Sequence, residues 1–500
     1  MGGQAETLAF LRAAMQAEQG APAEIVETHI SDVLLAGDRA WKLKRAVKLP
    51  YLDFSTPERR RAAARDELAL NRRTAPQLYL ALREIRRDAD GRLHFGESGA
   101  LVDAIVEMRR FDQASLFDRL ARADALTRPL LTELAREIVR FHAAAAIARD
   151  VPGAGSIAAV LALNARALAD SGLVAPDAAA TQAARFRDAF ARLAPLMDAR
   201  GEAGKIRRCH GDLNLRNICL DGGAPVLFDC LEFDQRLAAI DTLYDLAFLL
   251  MDLWEHGRAD QANWTLNRYL DAADETDGLA LLPLFMAMRA AIRAHVTAVQ
   301  AKEHPERRAE ALTYHALADD LLDAHPPRLV AIGGLSGTGK STLAAALAHR
   351  LGAAPGARVL SSDRLRKARA GVAPETRLPA EAYTRAASDA VYADLMAQAA
   401  RALDAGVAVI ADAVFAAPQE RAAIEAVAQA AGVHFTGLWL ESDPAVMRAN
   451  VAARRGDPSD ATPEIVDRQL AYDLGVMAWT RLDADADDLL ARAAAALDLT

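Results

Sequence analysis

The run Gly334-Leu335-Ser336-Gly337-Thr338-Gly339-Lys340-Ser341, followed by Thr342, is the clearest concentration of phosphate chemistry in the chain. It fits G-x-x-x-x-G-K-[ST] without a substitution. An apolar stretch, Leu329-Val330-Ala331-Ile332, precedes it, and helix-forming residues from Leu343 to Ala348 follow. Strand, glycine-rich turn and helix start, in that order, are the context this motif requires. Glycines let successive backbone N–H groups turn inward onto phosphate oxygens, and the helix N-terminus adds its positive dipole end. Lys340 can reach the outer phosphates, and the Ser341 hydroxyl can hold Mg²⁺. A flexible glycine-serine loop would share the composition but not the flanking order. The expectation is a nucleoside triphosphate site, with ATP and Mg²⁺ as its ligands.

A second constellation lies upstream. Cys209-His210-Gly211-Asp212-Leu213-Asn214-Leu215-Arg216-Asn217 opens two apolar runs that meet at a Gly222-Gly223 turn and end at Val226-Leu227-Phe228-Asp229. Two carboxylates and an amide on neighbouring loops suit Mg²⁺-dependent phosphoryl transfer. One carboxylate takes the proton of the attacking hydroxyl, and the other holds metal together with the amide oxygen. Further upstream, Ala40-Trp41-Lys42-Leu43-Lys44 reads as a strand with both lysines on one face.

This front segment resembles the catalytic loop of the aminoglycoside phosphotransferase family, relatives of choline kinase and more distantly of protein kinases. The resemblance implies Asp212 as catalytic base, with Asn217 and Asp229 as metal ligands and His210 as a brace for the loop. It also implies a strand lysine on the nucleotide phosphates, Lys42 ahead of Lys44, paired with Glu67 on the following helix. Glu107-Met108 resembles the hinge that meets adenine through its backbone. No glycine-rich loop precedes Lys42, so Ser31 is the expected phosphate contact there. Asp229 is followed by Cys230-Leu231-Glu232 rather than Phe-Gly. Asp241 and Asp245 share a helix face and are read as structural or substrate-facing.

Beyond the phosphate loop, two more strands end in acid: Arg358 to Arg364, whose polar end holds Asp363, and Val407 to Asp412. Ligands bind at the carboxyl ends of strands in open α/β sheets, so Asp363 is aimed at substrate or metal, and Asp412 is a metal ligand or base. A further strand, Thr436 to Leu440, ends near Glu441. Arg448, Arg454 and Arg455 precede a loop at Gly456 to Ala461. The domain looks like the gluconate kinase, zeta-toxin and polynucleotide kinase group, which implies a lid whose arginine steadies the transferring phosphate. An exposed basic helix face is the plainer alternative for any one of these arginines.

The elements that must position these groups divide at His325-Pro326-Pro327, where proline excludes helix from the preceding residue. The expected architecture is therefore two domains of α/β and α+β class. Residues 1–325 form a bilobal protein-kinase-like fold, with a small β-rich lobe at about 1–108 and a helical lobe at about 109–325. Residues 326–500 form a P-loop domain whose parallel sheet is flanked by helices.

Composition narrows the function further. A net charge of −9 argues against a general nucleic-acid binder. Cys209, Cys219 and Cys230 offer neither a disulfide framework nor zinc spacing. The longest apolar run, Leu279 to Met288, is short for a membrane span, and Met1 to Glu6 lacks signal-peptide character. The reading is a cytoplasmic, bifunctional, ATP-dependent phosphotransferase acting on small hydroxylated molecules, with no membrane partner. Two alternatives stay open: one domain senses nucleotide for the other, or the C-terminal domain phosphorylates nucleic-acid 5′-hydroxyls.

Overall fold

The structure, a computed structural model, describes residues 4–28, 30–49, 52–232 and 238–499. His29 and Pro50, which bound the first β-like stretch in the sequence, lie outside the described residues. The chain forms two compact units, 1–156 with 198–252 and 157–197 with 253–500. The helices between 253 and 325 share the second unit with the phosphate-loop sheet.

In the first unit, strands β1 (Glu24–Glu27), β2 (Ser31–Ala36), β3 (Arg39–Lys44), β6 (Tyr79–Arg87), β7 (Leu93–Phe95) and β8 (Ala100–Arg109) form one sheet. Its order is β1-β2-β3-β8-β6-β7, and every pairing in it is antiparallel. A short ribbon, β4 (Lys48–Leu49) with β5 (Leu52–Asp53), follows β3. Period-two alternation sorts the β3 side chains: Trp41 and Leu43 pack with Leu11 and Met15 of helix Ala5–Gln19. Lys42 and Lys44 face helix Pro57–Asn71, which Thr56 caps and Pro57 starts. Strands β9 (Ile206–Arg208) and β12 (Ala239–Asp241) pair, as do β10 (Ile218–Asp221) and β11 (Ala224–Leu227) around the Gly222-Gly223 turn.

In the second unit, β13 (Arg328–Gly334), β14 (Arg358–Ser361), β15 (Val409–Asp412), β16 (His434–Glu441) and β17 (Thr480–Asp483) make a wholly parallel sheet, ordered β14-β15-β13-β16-β17. Both faces are covered at the centre of the sheet, so Leu329 to Ile332 of β13 and Val409 to Ala411 of β15 are apolar without interruption. Leu329, Ala331, Val409 and Ala411 pack on one side, and Val330, Ile332, Ile410 and Leu438 on the other.

One sequence expectation needs correction. The apolar run at 279–288 continues as the segment Thr276–Gln300, long and apolar enough by composition to cross a membrane. Arg289 interrupts its composition but not its helix. Two-thirds of its apolar window is buried in the fold (67%), as in a core helix.

Trp41 is fully buried and also meets Phe95 edge-on, with ring centroids 5.4 Å apart. Trp41→Ala should cost about 3–5 kcal/mol, read as a lower urea midpoint for the first unit's transition. The transition of the phosphate-loop sheet should not move.

Candidate active sites

The front site assembles around β3. Lys42 Nζ lies 2.7 Å from Glu67 Oε1 and 2.6 Å from Asp229 Oδ1. Lys44 Nζ lies 2.6 Å from Glu67 Oε2 and also pairs with Glu232. The chain of alternating charge, Asp229–Lys42–Glu67–Lys44–Glu232, is therefore continuous. Lys42 lines the cleft, whereas the Lys44 side chain is 1% exposed, so Lys42 is the lysine a phosphate can meet. Burial opposes the Lys42 charge, but Asp229 and Glu67 hold its pKa well above the ordinary lysine value. Burial would likewise raise Asp229 and Glu67, yet the two lysines hold both below the usual carboxylate range.

The loop at 209–217 is held by backbone hydrogen bonds to acids behind it. Asp245 accepts the His210 and Gly211 N–H groups at 3.0 and 2.8 Å, and Asp252 accepts that of Leu215 at 3.0 Å. Asp241 is locked to Arg200 by two contacts of 2.7 Å. Asp241 ends β12 and only Asp245 lies on the helix that follows, so the two do not share the expected helix face, and these contacts give both a structural role. His210 Nε2 contacts the Phe228 carbonyl at 2.9 Å and so ties the loop to the residue before Asp229. Asn217 Nδ2 donates to Asp212 Oδ2 at 2.8 Å, which leaves the Asn217 amide oxygen as its acceptor end.

Asp212, Asn217, Asp229, Lys42, Met108 and Ser31 all line one cleft of 670 Å³. Ser31 is fully buried, and its hydroxyl has no hydrogen-bond partner among the described residues. Two participants carry no sequence signal. Tyr79 accepts the Asp229 N–H at 3.2 Å, and Asn71 accepts that of Cys230 at 2.8 Å. Asp229 itself sits at φ 62°, a conformation those two bonds help to hold.

The second site lies at the carboxyl edge of β13. Gly337 has φ 91°, and a Cβ there would stand 2.5 Å from the Met447 carbonyl oxygen, so only glycine fits this approach. Gly334 and Gly339 also take positive φ, and Thr338 Oγ1 donates to the Leu335 carbonyl at 2.9 Å. Lys340 Nζ donates to that same carbonyl at 2.9 Å, and burial lowers its pKa. Ser341 Oγ donates to Asp412 Oδ2 at 2.6 Å. Thr342 is exposed on the first helical turn. Burial raises both Asp412 and Asp363 above the ordinary carboxylate value, and Lys340 works against the shift in each.

The arginines separate in the structure. Arg454 acts electrostatically on both Lys340 and Asp363, and its buried Nη1 has no hydrogen-bond partner among the described residues. Arg455 is exposed and donates to the carbonyls of Ala452 and Arg454, while Arg448 pairs with Asp467 at 2.7 Å. Sequence reasoning missed two amides that bind the loop. Gln469 accepts the Ser336 N–H at 2.7 Å, and Asn450 donates to the Gly337 carbonyl at 2.8 Å.

Both donor sets suit a hard cation. Asp229 with Asn217, and Asp412 with Ser341, offer only oxygen to Mg²⁺. Because burial raises Asp412, acidification protonates it above the ordinary carboxylate value of about 3.9. The metal needs the ionised form. Affinity for Mg·ATP at this site, titrated in an Asp229→Asn background, should therefore fall on acidification at a pH above the ordinary carboxylate range. In Asp412→Asn it should be weaker and flat with pH.

Comparison with known proteins agrees with this division. Residues 51–282 match the phosphotransferase enzyme family, and residues 329–473 match an AAA domain. Among curated proteins, Rv2004c of Mycobacterium tuberculosis H37Rv is 32% identical over 466 residues, covering 90% of this chain and 91% of that protein. Mb2027c of Mycobacterium bovis matches to the same extent. Solved structures include a choline/ethanolamine kinase family protein from Mesorhizobium loti, with 16% identity, TM-score 0.40, and 63% of this chain and 95% of that one covered. A gluconokinase from Sinorhizobium meliloti has 19% identity, TM-score 0.26, and coverage of 35% and 93%. The chain belongs to the family of these mycobacterial proteins and joins a phosphotransferase-family domain to a P-loop kinase domain.

Proposed function

We propose that the chain is a bifunctional, Mg·ATP-dependent phosphotransferase of the cytoplasm that acts on hydroxyl groups of small molecules. Residues 1–325 would carry one activity and residues 326–500 the other. The observation that carries this reading is duplication. Each of two sites has its own phosphate-seeking lysine beside its own oxygen donors for a metal: Lys42 with Asp229, and Lys340 with Ser341 and Asp412.

Mg²⁺, when bound, would neutralise charge on the phosphates. At the front site, Lys42 would leave its carboxylates partly to meet phosphate oxygens. Asp212, oriented by the Asn217 amide, would accept the proton of the acceptor hydroxyl. At the second site, Asp363 has a carboxyl raised by burial and would serve as base for the other acceptor. Arg454 would face the charge that develops on the phosphoryl group.

Transfer of labelled phosphate from ATP to sugars, amino alcohols, aminoglycosides and nucleosides tests this. Asp212→Asn should lower transfer to one class of acceptor by about 10²–10⁴-fold while Mg·ATP still binds. Lys340→Ala should remove transfer to another class and leave the first intact. Label passing only to water, or a single variant silencing every acceptor, would refute two separate activities.

A further inference from the structure

Strand β14 is the edge of the parallel sheet, paired only with β15, so its outer backbone groups need partners from elsewhere. Helix Ala259–Leu270 supplies them with a stripe of residues four apart, Asn263, Asn267 and Asp271. Asn267 Nδ2 donates to the Ala357 carbonyl at 3.1 Å, and Asn267 Oδ1 accepts the Val359 N–H at 2.8 Å. One side-chain amide thus reproduces the donor–acceptor pair that a neighbouring strand would offer. Asn263 Nδ2 donates to the carbonyls of Pro355 and Ala357, each at 3.0 Å. Asp271, just past the helix, accepts Arg358 Nη1 at 2.9 Å and Arg364 Nη1 at 3.2 Å, and Arg268 Nη2 lies 3.1 Å away. Asn263 and Asn267 are only 3% and 2% exposed, so these are desolvated, committed contacts.

The stripe lies along the one strand that leads directly into Asp363. Asn267 grips β14 at its start, and Asp271 holds both Arg358, the first residue of the strand, and Arg364, next to Asp363 in the helix that follows. We propose that helix Ala259–Leu270 is a working part of the P-loop kinase, with Asn267 and Asp271 as positioning residues that set Asp363 against Lys340. This rests on the proposed kinase reading of that site. The match to the phosphotransferase family extends to residue 282 and so places this helix with the front domain. Its hydrogen bonds place it on the P-loop sheet. A chain cut at Pro326 would leave the β14 edge open and Arg358 and Arg364 without their acid.

The test uses the full chain in an Asp212→Asn background, so that turnover reports the second site, with Asn267→Ala, Asp271→Asn and Asp271→Glu added in turn. Amide hydrogen exchange over 357–365, ATP affinity and kcat are read together. The expected result for Asn267→Ala and Asp271→Asn is faster exchange over 357–365 and a kcat lower by about tenfold, with KM for ATP nearly unchanged although the lost buried contacts lower the melting temperature. Asp271→Glu should restore part of kcat. Faster exchange with unchanged kcat would reduce the stripe to scaffolding and overturn the proposal. So would parallel loss of kcat and ATP affinity. Absence of turnover that depends on Lys340 would defeat the kinase reading instead. Exchange then decides alone: protection of 361–365 by Mg·ATP should be lost in the variants, and its retention overturns the positioning claim.

Discussion

Each site must keep a cation half out of water, ready for a phosphate, without leaving it unpaired. An isolated ammonium in a low-dielectric setting either costs several kcal/mol or loses its proton. The front site answers with carboxylates. Lys42 is held between Glu67 and Asp229, and Lys44 behind it closes the far side of Glu67. The second site answers with backbone: Lys340 donates to the Leu335 carbonyl, and burial lowers its pKa. The surrounding architecture follows from these two solutions. A β-strand with alternating faces is needed to present Lys42 and Lys44 to one helix while Trp41 and Leu43 anchor the other side. A glycine-rich turn between strand and helix is needed to bring the Leu335 carbonyl back onto Lys340 and to turn several N–H groups toward phosphate.

The same contrast explains how Asp229 and Asp412 are fixed. In the front unit, Asp229 stands on an irregular segment at φ 62°, so side chains hold its backbone: Tyr79 at Asp229 and Asn71 at Cys230. His210 ties the loop at 209–217 to the Phe228 carbonyl, and Asp245 holds the loop from behind through two N–H groups. In the second unit, parallel pairing does that work. Register brings Ile332 of β13 beside Asp412 of β15 and Ser361 of β14 beside the same Asp412. Three strand ends thereby converge on one edge, where Ser341 Oγ meets Asp412 at 2.6 Å.

What the sequence made legible was local. The phosphate loop, the Asp212–Asn217 spacing, the Gly222-Gly223 hairpin and the two-faced lysine strand are short-range patterns with one physical solution each. The pairing of Lys42 with Glu67 was accessible by resemblance, but the pairing of Lys44 with Glu232 was not, because Glu232 reaches β3 from 188 residues away. Arg454 and Arg455 are equivalent in sequence, and only the turn ending helix Pro444–Ala453 aims one toward Lys340 and the other to solvent. Gln469, Asn450 and Asn267 were invisible because a side-chain amide that completes a backbone hydrogen bond carries no motif. The apolar run at 279–288 read as short because Arg289 ends it in composition, while the helix continues through it.

The central claim is that one chain holds two separate nucleotide sites, each built on its own lysine. Calorimetric titration of the full-length chain with a non-hydrolysable Mg·ATP analogue measures this most directly. The account predicts two sites per chain in the wild type, one in Lys42→Ala, one in Lys340→Ala, and none in the double variant. A single site in the wild type, or loss of both sites in either single variant, would contradict it.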